Sequence, residues 1–187
     1  MAIDDLDSID RRILAELQAD GRITNVELAR RAGISPPPCL RRVRGLEERG
    51  YLRGYHADLD PALLGQGLHA FASVRLERQA EADLAAFEAL CDGWAIVRAC
   101  HLVGGEADYM LECRAPDLDA FHAFVTAELT AAPNVAGVRT VLVIRTCKDE
   151  PGVPVPQGQG RGQARGPAKA PGRSEGRAET RGAPARG

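Results

Sequence analysis

Residues Thr24 to Gly50, TNVELARRAGISPPPCLRRVRGLEERG, constrain this chain more tightly than any other stretch. Thr24-Asn25-Val26-Glu27 has the form of a capping box. The Thr24 hydroxyl accepts from the Glu27 amide, and the Glu27 carboxylate reaches back to the Thr24 amide. Val26, Ala29 and Ala32 then mark an apolar stripe, and Gly33 marks a helix end. The next helix follows Ser35-Pro36-Pro37-Pro38. A proline disfavours helical geometry in the residue before it, so the helix is expected to start at Pro38. Whether it starts there or at Pro36, the Ser35 hydroxyl is left without a capping partner and free for a phosphate. In this helix Leu40, Val43 and Leu46 share one face. Pro38, Arg41 and Gly45 point the opposite way, with Arg42 and Arg44 on the flanks. Upstream, Asp7 or Ser8 caps a further helix whose inner face is Ile9, Ile13, Leu14 and Leu17. Short helices joined by a tight turn, the last one rich in arginine, suit the major groove of DNA.

Charge separates the chain into three parts. Residues 22–53 hold eight arginines and three glutamates, residues 56–150 seven basic and fifteen acidic side chains, and residues 151–187 seven basic and two acidic ones. The basic parts attract phosphate and the acidic part repels it, so they serve different jobs. The 44% of hydrophobic residues is enough for real cores, yet no run of about 18 apolar residues exists, so no membrane span is expected. The acidic start, MAIDDLDSIDRR, lacks the order of a signal peptide, and a cytoplasmic chain is expected. Cys39, Cys91, Cys100, Cys113 and Cys147 are scattered, with no CxxC pair, and are expected to be reduced. No Ser-His-Asp set, phosphate loop or GxGxxG run occurs. No catalytic residue, metal or cofactor is therefore expected.

Periodicity changes after residue 68. Strands are expected at 69–78, 95–103, 108–114 and 138–147, with helices at 81–91 and 118–130. That order, βαββαβ, is the split-βαβ arrangement. The middle of the last strand is apolar on both sides, with Leu142 and Ile144 on one and Val141 and Val143 on the other. A small sheet with two helices on one face then has its other face buried by a partner subunit. The tail 151–187 holds nine glycines and six prolines but no Leu, Ile, Phe, Trp or Tyr, so disorder is expected there. Its basic residues either add sequence-independent affinity for DNA or form a tolerated extension. The expected division is 1–54, a linker at 55–68, 69–150, and the tail.

The chain resembles the Lrp/AsnC family of regulators from about Leu6 to Lys148. The resemblance runs through Leu6-Asp7-x-x-Asp10-Arg11-x-Ile13-Leu14, Asn25-Val26-Glu27-Leu28-Ala29 and Gly33-Ile34-Ser35. It continues with Cys39-Leu40-Arg41-Arg42-Val43, Leu46-Glu47-x-x-Gly50, Gly54-Tyr55-x-Ala57 and Asp60-Pro61. In the second domain Cys100-His101-Leu102-Val103-x-Gly105-x-x-Asp108-Tyr109 is similar to the leucine-responsive branch. The resemblance implies an α+β chain: an N-terminal helix-turn-helix domain, winged-helix-like, and a C-terminal βαββαβ ferredoxin-like domain that senses a ligand. It implies a homodimer that assembles into tetramers or octamers and takes an amino acid as effector. It gives no support to the tail. Asn134 stands where the family commonly has glycine.

Arg41 is expected to read bases, with Arg42 and Arg44 anchoring phosphates; a solvated helix face is the plainer reading. Arg22, Thr24, Asn25, Ser35 and Pro38 complete the expected surface for double-stranded DNA. Gly104-Gly105-Glu106-Ala107-Asp108 reads as a hairpin turn on its residues alone. With the resemblance it is an effector loop, in which backbone groups take a carboxylate and an acid takes an ammonium, walled by Leu102, Val141, Leu142 and Val143. The expected function is a DNA-binding transcriptional regulator with a small effector, not an enzyme. The alternatives are a ligand-independent architectural DNA-binding protein and a tetrapyrrole decarboxylase of similar architecture. The decarboxylase needs a basic, histidine-lined pocket that this acidic domain lacks.

Overall fold

Asp7 starts the first helix by accepting a 2.8 Å bond from the Asp10 amide, so α1 runs Ser8–Ala19. The computed structural model describes residues 6–156; the tail expected to be disordered lies outside the described residues from 157 onward. Two compact units divide after Leu52.

In the first unit, α2 (Asn25–Ala32) is capped by Thr24, whose hydroxyl accepts from the Glu27 amide at 3.3 Å. Gly33 ends it at φ 75°, which glycine adopts without a Cβ clash, and the Gly33 and Ile34 amides close back onto Arg30 and Ala29. Helix α3 spans Pro36–Glu48, two residues earlier than the proline rule suggests. The three prolines fill N1 to N3, where the amides have no intrahelical acceptor in any case. The first amide that needs one, Cys39, donates to the Ser35 carbonyl. Ser35 is the N-cap and makes no side-chain cap bond.

Two apolar stripes each differ from the sequence reading at one residue. Leu28, Ala29 and Ala32 face inward, while Val26 is 67% exposed. On α3, Cys39 and Leu46 are buried and Leu40 is exposed. Each helix meets two others at once, and the buried arc is set by both neighbours rather than by the best single row of apolar residues. With Ile13 and Leu17, these residues make one small core. Among the described residues no strand forms between α3 and Leu68.

The second unit has the order β1 (Leu68–Leu76), α4 (Glu81–Gly93), β2 (Val97–Leu102), β3 (Tyr109–Ala115), α5 (Leu118–Phe124), a single π turn (Val125–Leu129) and β4 (Val135–Leu142). The sheet is antiparallel with strand order β2-β3-β1-β4, the split-βαβ topology. Ala70, Ala72, Val74 and Leu76 of β1 alternate inward with Tyr109, Leu111, Cys113 and Ala115 of β3, against Phe87 and Cys91 of α4 and Phe121 and Phe124 of α5. Small side chains on the sheet let the aromatic ones of the helices seat closely. Phe87 lies 4.8 Å from Tyr109, and Trp94 lies 5.3 Å from Phe124.

Among the described residues the opposite face carries no helix. His69, Phe71, Ser73 and Arg75 lie there with Met110, Glu112 and Arg114, and with Gly137, Arg139 and Val141. β4 ends at Leu142, short of the expected 147. Val143 follows with one bond to the His69 carbonyl, and Ile144 projects fully into solvent. Asn134 takes φ 67°, the left-handed geometry for which glycine is common. Its side-chain amide accepts from the Arg78 amide at 3.0 Å and donates to the Arg78 carbonyl at 2.8 Å. An asparagine therefore both tolerates the turn and clamps it to the end of β1.

Candidate DNA interface and effector site

α3 presents Pro37, Leu40, Arg41, Arg44, Gly45 and Glu48 around one shallow outward groove. Of the expected DNA set, this groove unites Arg41 and Arg44. A Cβ built on Gly45 meets nothing within 4 Å, so the helix offers a bare backbone there. Arg41 and Arg44 are exposed, with no side-chain partner among the described residues. Ser35, Arg22 and Thr24 are exposed near the helix starts, and Pro38 is half-buried.

Two members of the expected set are turned to other work. Arg42 does not reach outward: its Nη1 donates at 2.7 Å to both Asp7 and Asp10. Asp10 is only 6% exposed, and Arg49 approaches its other oxygen at 3.7 Å. A buried carboxylate needs such donors, and the pair ties α3 to the start of α1. Sequence spacing gave no sign of it, because Asp7 and Asp10 lie more than 30 positions from Arg42. Asn25 is the second: its Nδ2 donates to the Pro36 carbonyl at 2.9 Å, joining the first turns of α2 and α3.

The capping box forms only in half. Glu27 turns its carboxylate to Arg30 and Arg31, at 2.7 and 2.8 Å, and Arg31 also reaches Glu16 of α1 at 2.9 Å. Guanidinium donors beside the carboxylate out-compete a backbone amide for it. The hydrogen bonds from Arg30 and Arg31 hold Glu27 at about 2, well below its ordinary 4.5. The Asp10 amide and the Arg42 guanidinium hold Asp7 below the usual carboxylate range as well.

In the second unit, the expected effector residues do not converge in one protomer. Leu102 closes β2, whereas Val141 and Leu142 lie on β4, the opposite edge of the sheet. Three strand spacings separate these edges, roughly 14 Å. Val143 lies just past β4. Asp108 is also committed: its carboxylate accepts from the Leu76 amide at 2.7 Å, its own amide donates to Val74, and its carbonyl accepts from Val103. It fastens the β2–β3 turn to the end of β1. Gly105 takes φ 129°, which only glycine holds without strain, and Gly104 is exposed beside it.

Glu106 does reach a cavity. With Ser73, Arg75, Ala107, Gly137, Val138 and Arg139 it lines a space of about 460 Å³. Its carboxylate stands 3.8 Å from the Arg139 guanidinium, and the Ser73 hydroxyl donates to the Arg139 carbonyl at 3.2 Å. Ser73, Arg75, Gly137 and Arg139 were not legible as site residues. The register pairs Ser73 with Arg139 and Arg75 with Gly137, and only the β1–β4 pairing brings them together.

Comparisons with known proteins follow the same two units. Residues 6–53 match the family described as winged helix-turn-helix DNA-binding, and residues 69–153 the one described as the Lrp/AsnC ligand binding domain. The chain is 56% identical over 145 residues to a leucine-responsive regulatory protein of Rhizobium meliloti, covering 78% of this chain and 93% of the relative. It is 44% identical over 144 residues to that of Escherichia coli, covering 77% and 88%. Among solved structures, a Neisseria meningitidis transcriptional regulator in complex with L-Met is 38% identical, covers 80% of this chain and 96% of its own, and superposes with a TM-score of 0.76.

The Glu27 cluster sets an acid limit on the first unit. A carboxylate whose folded pKa is depressed contributes stability above its ordinary pKa, and that contribution is lost as pH falls through the folded value. The loss is expected between pH 4.5 and about 2. Glu27→Gln flattens that part of the profile, read as amide exchange in α2 across the acid range; an unchanged profile contradicts the cluster.

Proposed function

Since this chain belongs to the Lrp/AsnC family of transcriptional regulators, with a DNA-binding helix-turn-helix and a ligand-binding domain, we propose that it reads DNA with the outer face of α3 and responds to an amino acid. The observation that carries the reading is the division of labour on α3. Arg42 is spent inside the unit, while Arg41 and Arg44 stand outward and unpaired beside the bare backbone of Gly45. A guanidinium at Arg41 suits the O6 and N7 edge of guanine, and Arg44 suits a phosphate. Arg22, Thr24 and Ser35 supply further phosphate contacts at the starts of α2 and α3. Arg42 and Asn25 position the helices. The protein acts where the DNA is, in the cytoplasm.

The effector is a free amino acid. Such a ligand carries a carboxylate and an ammonium together, and the cavity at Glu106 has matching groups: the guanidiniums of Arg75 and Arg139, and the Glu106 carboxylate. The Neisseria relative in complex with L-Met supports this class of ligand. The helix-free face of the sheet, with Phe71, Met110 and Val141, suits a second copy of the chain in a homodimer, from which tetramers or octamers assemble. Two α3 helices related by a dimer axis fit half-sites one helical turn apart.

Gly45→Ala separates recognition from stability. At this half-exposed helix interior position, where a Cβ has open space, it stabilises the fold by about 0.5–1 kcal/mol, yet it weakens DNA binding because the new methyl stands where the groove wall approaches. Urea denaturation and fluorescence anisotropy measure the two effects; unchanged binding contradicts the placement of α3. Calorimetry against a panel of amino acids tests the effector. Binding of one class, lost in Arg139→Ala, is the expected result, and uniform silence favours a ligand-independent architectural protein.

A further inference from the structure

Three of the five cysteines gather on one side of the sheet. Cys91, in the last turn of α4, is 4% exposed, and Cys113 of β3 is fully buried in the same core. Cys100 of β2 pairs in register with Leu111, which places it on the helix-covered face. It is half-buried and packs against that core, so a small solute reaches it from the sheet edge. Cys91 and Cys100 thus meet in the same core, across the seam between α4 and β2. Nothing in DNA binding or effector binding requires two cysteines to meet there.

We propose that Cys91 and Cys100 are a dithiol that a hydroperoxide oxidises to a disulfide, stapling α4 to β2. The Cys91 hydrogen bond favours the thiolate at Cys100 and holds Cys100 below the usual thiol range, while the same bond and burial push Cys91 up. Cys100, half-buried where Cys91 is 4% exposed, is also the sulfur that a solute reaches first, so Cys100 is the attacking sulfur and Cys91 the resolving one. The Cys100 thiolate attacks one peroxide oxygen and the O–O bond breaks. Cys100 becomes a sulfenic acid, and the other oxygen leaves as water or alcohol after taking a proton. The Cys91 sulfur then attacks the sulfenic sulfur. An S–S bond forms, and hydroxide departs as water with the Cys91 proton. Two thiols are oxidised and one hydroperoxide is reduced. Cys113, pushed up to about 11 by burial, stays a thiol. The staple sits on β2 immediately before His101-Leu102 and the Gly104–Asp108 turn, so it stiffens the strand that leads into the Glu106 cavity.

The test uses the full chain with and without hydrogen peroxide. Remaining thiols are blocked with N-ethylmaleimide, and trypsin peptides are mapped without reduction. Arg98 lets trypsin part Cys91 from Cys100, while Cys100 and Cys113 stay on one peptide and are told apart by fragment ions. The expected product is a Cys91–Cys100 link with a mass lower by two hydrogens and with Cys113 carrying maleimide. Cys100→Ser abolishes it, and Cys91→Ser leaves a sulfenic acid at Cys100 that dimedone traps. Oxidation confined to the exposed Cys147, a Cys91–Cys113 link, or no dimedone adduct in Cys91→Ser overturns the proposal.

Discussion

The ion pair between Arg42 and the carboxylates of Asp7 and Asp10 is the constraint on which the DNA-facing surface depends. Asp10 is buried, and a buried carboxylate without donors is costly. Arg42 supplies them at 2.7 Å and so fixes the rotation of α3 about its axis. At 100° per residue, that rotation sends Cys39 and Leu46 inward on one side of Arg42 and leaves Arg41 and Arg44 outward together on the other. Asn25, bonded to the Pro36 carbonyl, sets the start of the same helix. The outward-facing set of α3 is thus a consequence of packing by its neighbours.

The second unit shows the same economy. Asp108 fastens the β2–β3 turn to β1, and Asn134 fastens the α5–β4 turn to the end of the same strand. Both turns are thereby held at one end of the sheet, where Glu106, Arg75 and Arg139 meet. One carboxylate and two guanidiniums at that end of the sheet match the charges of a small zwitterion.

Most of the architecture was legible in the sequence, because periodicity and caps are local. The Thr24 cap, the Gly33 stop and the βαββαβ order all rest on residues within a few positions of each other. The failures share a cause. The phase of α2 and α3 is decided by two neighbouring helices at once, so Val26 and Leu40 face outward. Arg42 is diverted by acids more than 30 positions away. On its residues alone the Gly104–Asp108 turn reads as a hairpin, and its neighbours Ser73, Arg75 and Arg139 are assembled by strand register, while Leu102 and Val141 lie on opposite edges of the sheet.

The central claim, that Arg44 meets DNA while Arg42 holds the helix, is tested most directly by the salt dependence of DNA binding. Each phosphate contact contributes about −0.9 to the slope of log K against log salt concentration. The account predicts that Arg44→Ala lowers the magnitude of that slope by about one unit, whereas Arg42→Ala lowers the unfolding midpoint of the first unit and leaves the slope of the folded protein unchanged. A slope that falls in Arg42→Ala and stays constant in Arg44→Ala contradicts it.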